Sequence, residues 1–333
     1  MDLTYTDAAM HDVGVLNVTG GDFAWGADEN DFELTLADGQ ESPEIGGLVY
    51  ADGTDIWGVV RGAIRTDDGK VKAVGATWTG ALDSRVLKPP SGSAYFKVSG
   101  DMRDCVESLI SQLGCADLFA VAKGKTGITV THTFQGREGD ATQKDTGRYM
   151  GGWSALWQIT SEHGCKAVAR YDADARKIVL TIGRTEDRTD TEDMEGAGAS
   201  VALSNTRPVN HLVCLGQGEG TARTVLDLYM DSRGKVSTNQ TYWGLDEIAE
   251  VYDDGNAEDA AELEADGTDK LHEYWLNGQT VTMDLDTDRY DLGDTVGGTD
   301  PVTGLRATAV VTKKVVSLDN GSTTVSYDTT IRS

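Results

Sequence analysis

The run from Leu203 to Gly244, LSNTRPVNHLVCLGQGEGTARTVLDLYMDSRGKVSTNQTYWG, restricts the fold more than any other stretch. Val209, His211, Val213 and Leu215 alternate with Asn210, Leu212 and Cys214, the period of an extended chain with two faces. Gly216, Gly218 and Gly220 interrupt the pattern, and a second β-rich run, Thr224 to Tyr229, follows. Asp231-Ser232-Arg233-Gly234 then supplies a polar turn ending in the residue best suited to positive φ. The stretch predicts two strands joined by a glycine-rich connection, set between a front and a back part that both read as β modules.

Residues 1–100 read as an N-terminal β-barrel-like module. Phe32–Leu36 alternates as a half-buried strand, Glu44–Tyr50 is a second, and Asp55–Gly62 a third. Asp67-Asp68-Gly69 turns the chain into Lys70–Trp78, and Gly75–Leu82 continues the sheet until Pro89 and Pro90, which cannot donate to a ladder, end it. The period changes in an inserted α+β domain, 101–183. Asp101 is a helix N-cap, Met102, Val106, Leu109, Ile110 and Leu113 share a helical face, and Gly114 stops it. Residues 118–134 read as strand, loop, strand around Gly124 and Gly127. Tyr149–His163 is a second helix with Trp153, Leu156, Trp157 and Thr160 on one face, and Cys165–Tyr171 and Lys177–Ile182 form a hairpin about Asp172–Ala175.

Residues 184–200 form an acidic linker, and 201–333 a C-terminal β-barrel-like module with a helical insertion near 256–276, expected to break at Gly267. Val281, Met283 and Leu285 then alternate, Asp291–Gly298 leads to a loop at Asp300-Pro301, and Leu305–Leu318 and Thr323–Asp328 form a hairpin about Asp319-Asn320-Gly321. The expected class is mainly β with an α+β insertion: two barrel-like modules carrying smaller peripheral α/β domains.

Composition narrows the function. No apolar run reaches the roughly 18 residues of a membrane span, and the N-terminus lacks the basic region and apolar core of a signal peptide. Cys105, Cys115, Cys165 and Cys214 are scattered without a CxxC pair, which suits free thiols in a reducing compartment and leaves a disulfide open. The net charge is −26, from 55 acidic against 29 basic residues, and opposes docking on phosphates or anionic membranes. Two readings of that charge stand: solubility, including an organism that favours acidic surfaces, or a surface that must not hold polyanions, such as a channel through which DNA slides.

The chemical motifs are weak. Gly216-Gln217-Gly218-Glu219-Gly220 lacks the spacing, the following helix and the lysine of a phosphate loop. His211 with Cys214, and His163 with Cys165, fit no zinc-ligand spacing and read as core. Serine, histidine and aspartate candidates are dispersed without GxSxG. Acid pairs such as Glu192-Asp193, candidates for glycoside hydrolysis, read as solvated surface. Asp253-Asp254-Gly255-Asn256 lacks the spaced ligands of a calcium loop, and Asp284, Asp286 and Asp288 alternate on one side of an extended chain, where a structural cation is a minor reading. Trp57, Trp78, Trp153 and Trp157 read as core. No catalytic, cofactor-binding or metal residue is assigned.

Taken in order, a set of motifs resembles the tail-associated hub proteins of siphophages, the Gp37-like tail protein group. They are Glu44-Ile45-Gly46-Gly47, Gly75-Ala76-Thr77-Trp78-Thr79-Gly80 with Leu82, Val86-Leu87-Lys88-Pro89-Pro90, Asn210 to Glu219, Arg223-Thr224-Val225, Leu228-Tyr229, Gly244-Leu245-Asp246-Glu247, Tyr290-Asp291-Leu292-Gly293-Asp294 and Thr303-Gly304-Leu305. The resemblance implies a fold similar to the baseplate hub of contractile-tailed phages and a non-enzymatic role. It implies a homotrimer whose six barrels ring the tail axis, close the tail tube and open for DNA ejection. The implied partners are the distal tail protein ring, the end of the tape-measure protein, and tail fibre or receptor-binding proteins, with DNA crossing the lumen unbound. The implied location is the virion tail tip of a phage or prophage, assembled in the bacterial host cytoplasm. Larger relatives continue into peptidoglycan-cleaving domains, whereas this chain stops at Ser333 just past the last hairpin, which argues against that activity. A tail-associated peptidoglycan hydrolase and a host-saccharide receptor-binding module are the alternatives.

Overall fold

The computed structural model describes residues 1–135, 149–189, 200–205, 208–232, 234–257, 259–277, 279–285, 290–299 and 306–331. The chain is mainly β, as expected, and folds into two compact units: residues 1–200 with 283–297 and 310–328, and residues 201–282 with 298–309 and 329–333.

Seven strands open the first unit: β1 (Leu3–Thr6), β2 (Asp12–Leu16), β3 (Val18–Gly26), β4 (Asp31–Leu36), β5 (Leu48–Tyr50), β6 (Trp57–Arg65) and β7 (Val71–Thr77). In β4, Phe32, Leu34 and Leu36 are buried and Asp31 and Glu33 exposed, so its alternation was a true half-buried strand signal. The first three strands were not expected, because the Gly20-Gly21 pair dilutes the apolar alternation of β3. The expected continuation of the sheet through Gly75–Leu82 is corrected: β7 ends at Thr77 and α1 (Trp78–Asp83) follows. Thr and Trp favour strands, but here burial of Trp78 and Leu82 on one helical face prevails, and Thr77 donates its hydroxyl to Ala24 O at 2.8 Å.

The next part follows the helical period. After β8 (Val86–Leu87) and β9 (Phe96–Asp101) comes α2 (Met102–Gln112), whose N-cap Asp101 accepts from Arg103 N and whose Met102, Cys105, Val106, Leu109 and Ile110 are buried. Then come β10 (Phe119–Val121), β11 (Thr129–Phe134), β12 (Met150–Gly151), α3 (Gly152–Glu162), the hairpin β13 (Cys165–Asp172) and β14 (Lys177–Arg184), and β15 (Asp187–Arg188). β11 pairs antiparallel with β9, and β13 with β14.

The remaining elements are β16 (Ser200–Asn205), β17 (His211–Leu215), β18 (Val225–Met230), β19 (Val236–Ser237), β20 (Ala249–Asp253), α4 (Ala260–Asn277), β21 (Gln279–Leu285), β22 (Thr295–Thr299), β23 (Arg306–Asp319) and β24 (Ser322–Ile331). The expected two-residue hairpin joins β23 and β24, with Asn320 at φ 46° and Gly321 at φ 89°. That hairpin does not close a back module. Residues 310–328 belong to the first unit, where Lys313–Asp319 pair antiparallel with Gly26–Gly20 of β3. The strand order there runs β24-β23-β3-β4-β7-β6-β5-β1-β2.

Charged groups fasten this unit internally. Lys166 on β13 is buried against Asp291 Oδ2 at 2.7 Å and Asp294 Oδ2 at 2.8 Å, while Glu186 N donates to Asp294 Oδ1 at 2.8 Å. Burial works against the lysine charge, but Asp291 and Asp294 outweigh it and hold its pKa above the ordinary lysine range. The Tyr290-Asp291-Leu292-Gly293-Asp294 motif is therefore a clasp around Lys166.

The second unit holds a four-stranded sheet in the order β19-β18-β17-β20, with β17 antiparallel to β18 and parallel to β20. α4 lies on it: Leu263 and Leu271 join Leu212, Cys214, Leu228 and Met230 in one buried cluster. Each fully buried leucine contributes about 1.5–3 kcal/mol. The expected break at Gly267 is corrected, since α4 continues through it. A Cβ there would stand 2.5 Å from Cys214 Sγ and 2.7 Å from Leu228 Cδ1, so glycine lets the helix approach the sheet.

Candidate functional site

His132 is the polar exception on an apolar face. In β11 the buried positions are Val130, His132 and Phe134, and the ring of His132 packs edge-on to Phe134 with centroids 4.6 Å apart. α3 brings its C-terminal end to this ring. Glu162 Oε2 lies 3.3 Å from His132 Nδ1, and Gln158 Oε1, one turn earlier, lies 3.4 Å from Nε2. The Gln158 amide donates to Gln135 O at 3.1 Å, which orients its oxygen toward the imidazole. His163, the C-cap of α3, sets its ring 5.8 Å from that of His132. Its Nε2 is shielded from solvent and has no hydrogen-bond partner among the described residues. Donor atoms of His132, Glu162 and His163 all lie within 4.8 Å of one another. Burial pushes the His132 pKa below the ordinary histidine range, against the pull of Glu162.

The sequence signals for this cluster were thin. His163 was singled out with Cys165, but Cys165 Sγ lies 3.5 Å from the His163 carbonyl oxygen rather than facing its ring. His132, Gln158 and Glu162 were not singled out; the available hint was an imidazole at a core position of an alternating strand.

The other candidates separate. His211 and Cys214 take opposite faces of β17: Cys214 is buried in the cluster under α4, whereas His211 stacks on Tyr229 at 4.3 Å. Glu247 Oε1 lies 2.7 Å from His211 Nδ1 and Asp227 Oδ1 2.9 Å from Nε2, on different ring edges, so these carboxylates do not converge on one point. The glycine connection after β17 holds a three-residue 3₁₀ turn, Gly220–Ala222, and closes by Gly216 N donating to Thr224 O at 2.9 Å. Asp253 pairs with Arg223, and Asp254 accepts from Asn256 N at 3.2 Å. Trp57, Trp78 and Trp153 are buried, and Trp153 donates from Nε1 to Gly26 O at 2.8 Å. Glu192-Asp193, Asp286 and Asp288 lie outside the described residues, as does the Asp284 side chain.

Two surfaces concentrate unusual groups. On β3, β4 and the turn between them, Asp22, Glu29, Asp31 and Glu33 crowd together; burial and then Glu29 and Glu33 raise the pKa of both Asp22 and Asp31. In the second unit, Trp243 is 65% and Leu245 101% exposed, next to exposed Ile248 and Val251. These flank or lie on β20, an edge strand of its sheet among the described residues.

No family model matches the chain, and no curated protein matches its sequence. Solved structures share its fold along nearly its whole length. The tail protein from Neisseria meningitidis MC58 aligns with a TM-score of 0.50 and 13% identity, covering 99% of this chain and 96% of that one. The 43 kDa tail protein of prophage MuSo2 from Shewanella oneidensis gives 0.52 and 11%, covering 99% and 98%. A chain of the p2 virion baseplate in its activated conformation gives 0.52 and 10%, covering 98% of each. The chain shares the fold of these tail and baseplate proteins. At these identities the likeness defines the fold.

Proposed function

We propose that the chain is a structural, non-enzymatic component of a phage tail tip, a hub that assembles into a homotrimeric ring, closes the tail tube and opens for DNA. The observation that carries this reading is the end-to-end fold match to tail and baseplate proteins, which spans both units. The edge strand β20 with exposed Val251, preceded in the chain by exposed Trp243 and Leu245, supports it, since an apolar edge of this kind calls for cover by another subunit or tail protein. β2 adds a second edge with exposed Val13 and Val15. The net-acidic face of Asp22, Asp31 and Glu33, with Lys72 paired to Glu33, suits a lumen wall, because excess negative charge repels a passing phosphate backbone. A distal tail protein ring, the tape-measure end and fibre proteins are the corresponding neighbours, and the virion tail tip the location.

The test is assembly. Light scattering at physiological salt should give three times the 35.6 kDa chain mass, and negative-stain images should show rings. Trp243→Ser with Leu245→Ser should return the chain to monomer without loss of fold. A wild-type chain that stays monomeric alone and with the distal tail protein, or that cleaves purified peptidoglycan, overturns the proposal.

A further inference from the structure

His132 faces an oxygen acceptor on both ring edges, Glu162 Oε2 and Gln158 Oε1. A neutral imidazole has one proton to donate, so one nitrogen directs its lone pair at an oxygen. Close by, Nε2 of His163 is buried without a partner among the described residues. An unpartnered buried nitrogen thus stands beside an imidazole–carboxylate pair, and a single positive ion among the three would be shared by all of them.

We infer that His132 Nδ1, Glu162 Oε2 and His163 Nε2 form a binding site for a divalent transition-metal cation of the zinc type. Donor atoms held at about 2.0–2.1 Å around a tetrahedral zinc stand about 3.3 Å apart. Nδ1 of His132 and Oε2 of Glu162 are 3.3 Å apart. The ligating atoms of the three residues lie within 4.8 Å of one another, and rotation of the half-buried His163 ring at the C-cap of α3 closes the remainder. The surroundings match as well. With a metal on Nδ1, the ring proton of His132 sits on Nε2, which faces Gln158 Oε1 at 3.4 Å; that outer contact then orients the ring toward the metal. Glu162 is 53% exposed and gives the ion a path from solvent. Three protein donors leave a fourth position for water. The ion would tie β11 to the end of α3, an interaction absent from the unfolded chain, so binding should stabilise the fold.

The test uses the full chain, stripped with a chelator and titrated with zinc chloride by calorimetry, then with cobalt(II) chloride by visible absorption. Expected are one saturating zinc at micromolar concentration or tighter, tetrahedral cobalt bands, and a melting temperature that rises with zinc. Glu162→Gln and His163→Ala, both at the solvent-side end of α3, should each weaken zinc at least tenfold and abolish the cobalt bands, with far-ultraviolet circular dichroism unchanged. Glu41→Gln, on an exposed loop outside the cluster, should bind like the parent. Absence of saturable one-to-one binding, or zinc affinity unaltered in Glu162→Gln and His163→Ala, overturns the inference.

Discussion

Lys314 Nζ and Asp55 Oδ2 form a buried ion pair of 2.9 Å between residues 259 positions apart in sequence. The ammonium also lies 5.2 Å from the Trp25 ring centroid, so β23, β3 and the approach to β6 meet at one charge. Removing one partner strands the other in a low-dielectric interior. Lys314→Met should cost about 3–5 kcal/mol, and Lys314→Met with Asp55→Leu should recover most of it. Urea unfolding of the two single variants and the double variant, read as a cycle, checks this.

Gly267 sits where helix propensity and packing disagree. Alanine in place of a mid-helix glycine is ordinarily favourable by about 1 kcal/mol. Here the added carbon would press on Cys214 Sγ and Leu228 Cδ1. Gly267→Ala should therefore destabilise by about 1–3 kcal/mol, and Cys214→Ala in the same chain should return part of the loss. Thermal melts of the three variants decide the sign.

The acidic face on β3 and β4 should make stability fall with rising pH in a narrow range. Asp22 titrates above its unfolded value of 3.8, chiefly through burial and then through Glu29 and Glu33. Just above pH 3.8 the folded chain holds more protons than the unfolded one, so stability declines as pH climbs through the folded value. Asp22→Asn removes that loss. At pH 7 it should stabilise by up to about 0.5 kcal/mol, screened by salt, and below pH 3.8 it should have little effect.

All four cysteines are free and buried. Burial pushes the Cys115 and Cys214 thiols up to about 11. At pH 8 the thiolate fraction of each is about one in a thousand. Dithionitrobenzoate should react slowly with the native chain and promptly with four thiols in guanidinium. Prompt native labelling would mean that the core opens readily around α2 or α4.

Local chemistry was readable where one residue type does one job. Asp101 caps α2 as its position before an amphipathic run predicts, and Asn320-Gly321 makes the turn that its φ preferences demand. The helix at Trp78–Asp83 and the uninterrupted α4 were not readable, because packing against other strands overrides propensity there. The partner of the last hairpin was also hidden, since β3 carries glycines where a strand signal would show alternation. The motifs of the hub resemblance carried the fold, whereas the His132 cluster was illegible because β11 and the end of α3 contribute its members from separate stretches.

The pairing of β3 with β23 has a consequence during synthesis. Val18–Gly26 leaves the ribosome almost at once, but the strand that covers its outer edge is among the last to emerge. At about 5–20 residues per second, the nascent sheet waits on the order of tens of seconds with that flank bare. Premature termination upstream of Arg306 would leave it bare permanently, a substrate for chaperones or for edge-to-edge aggregation.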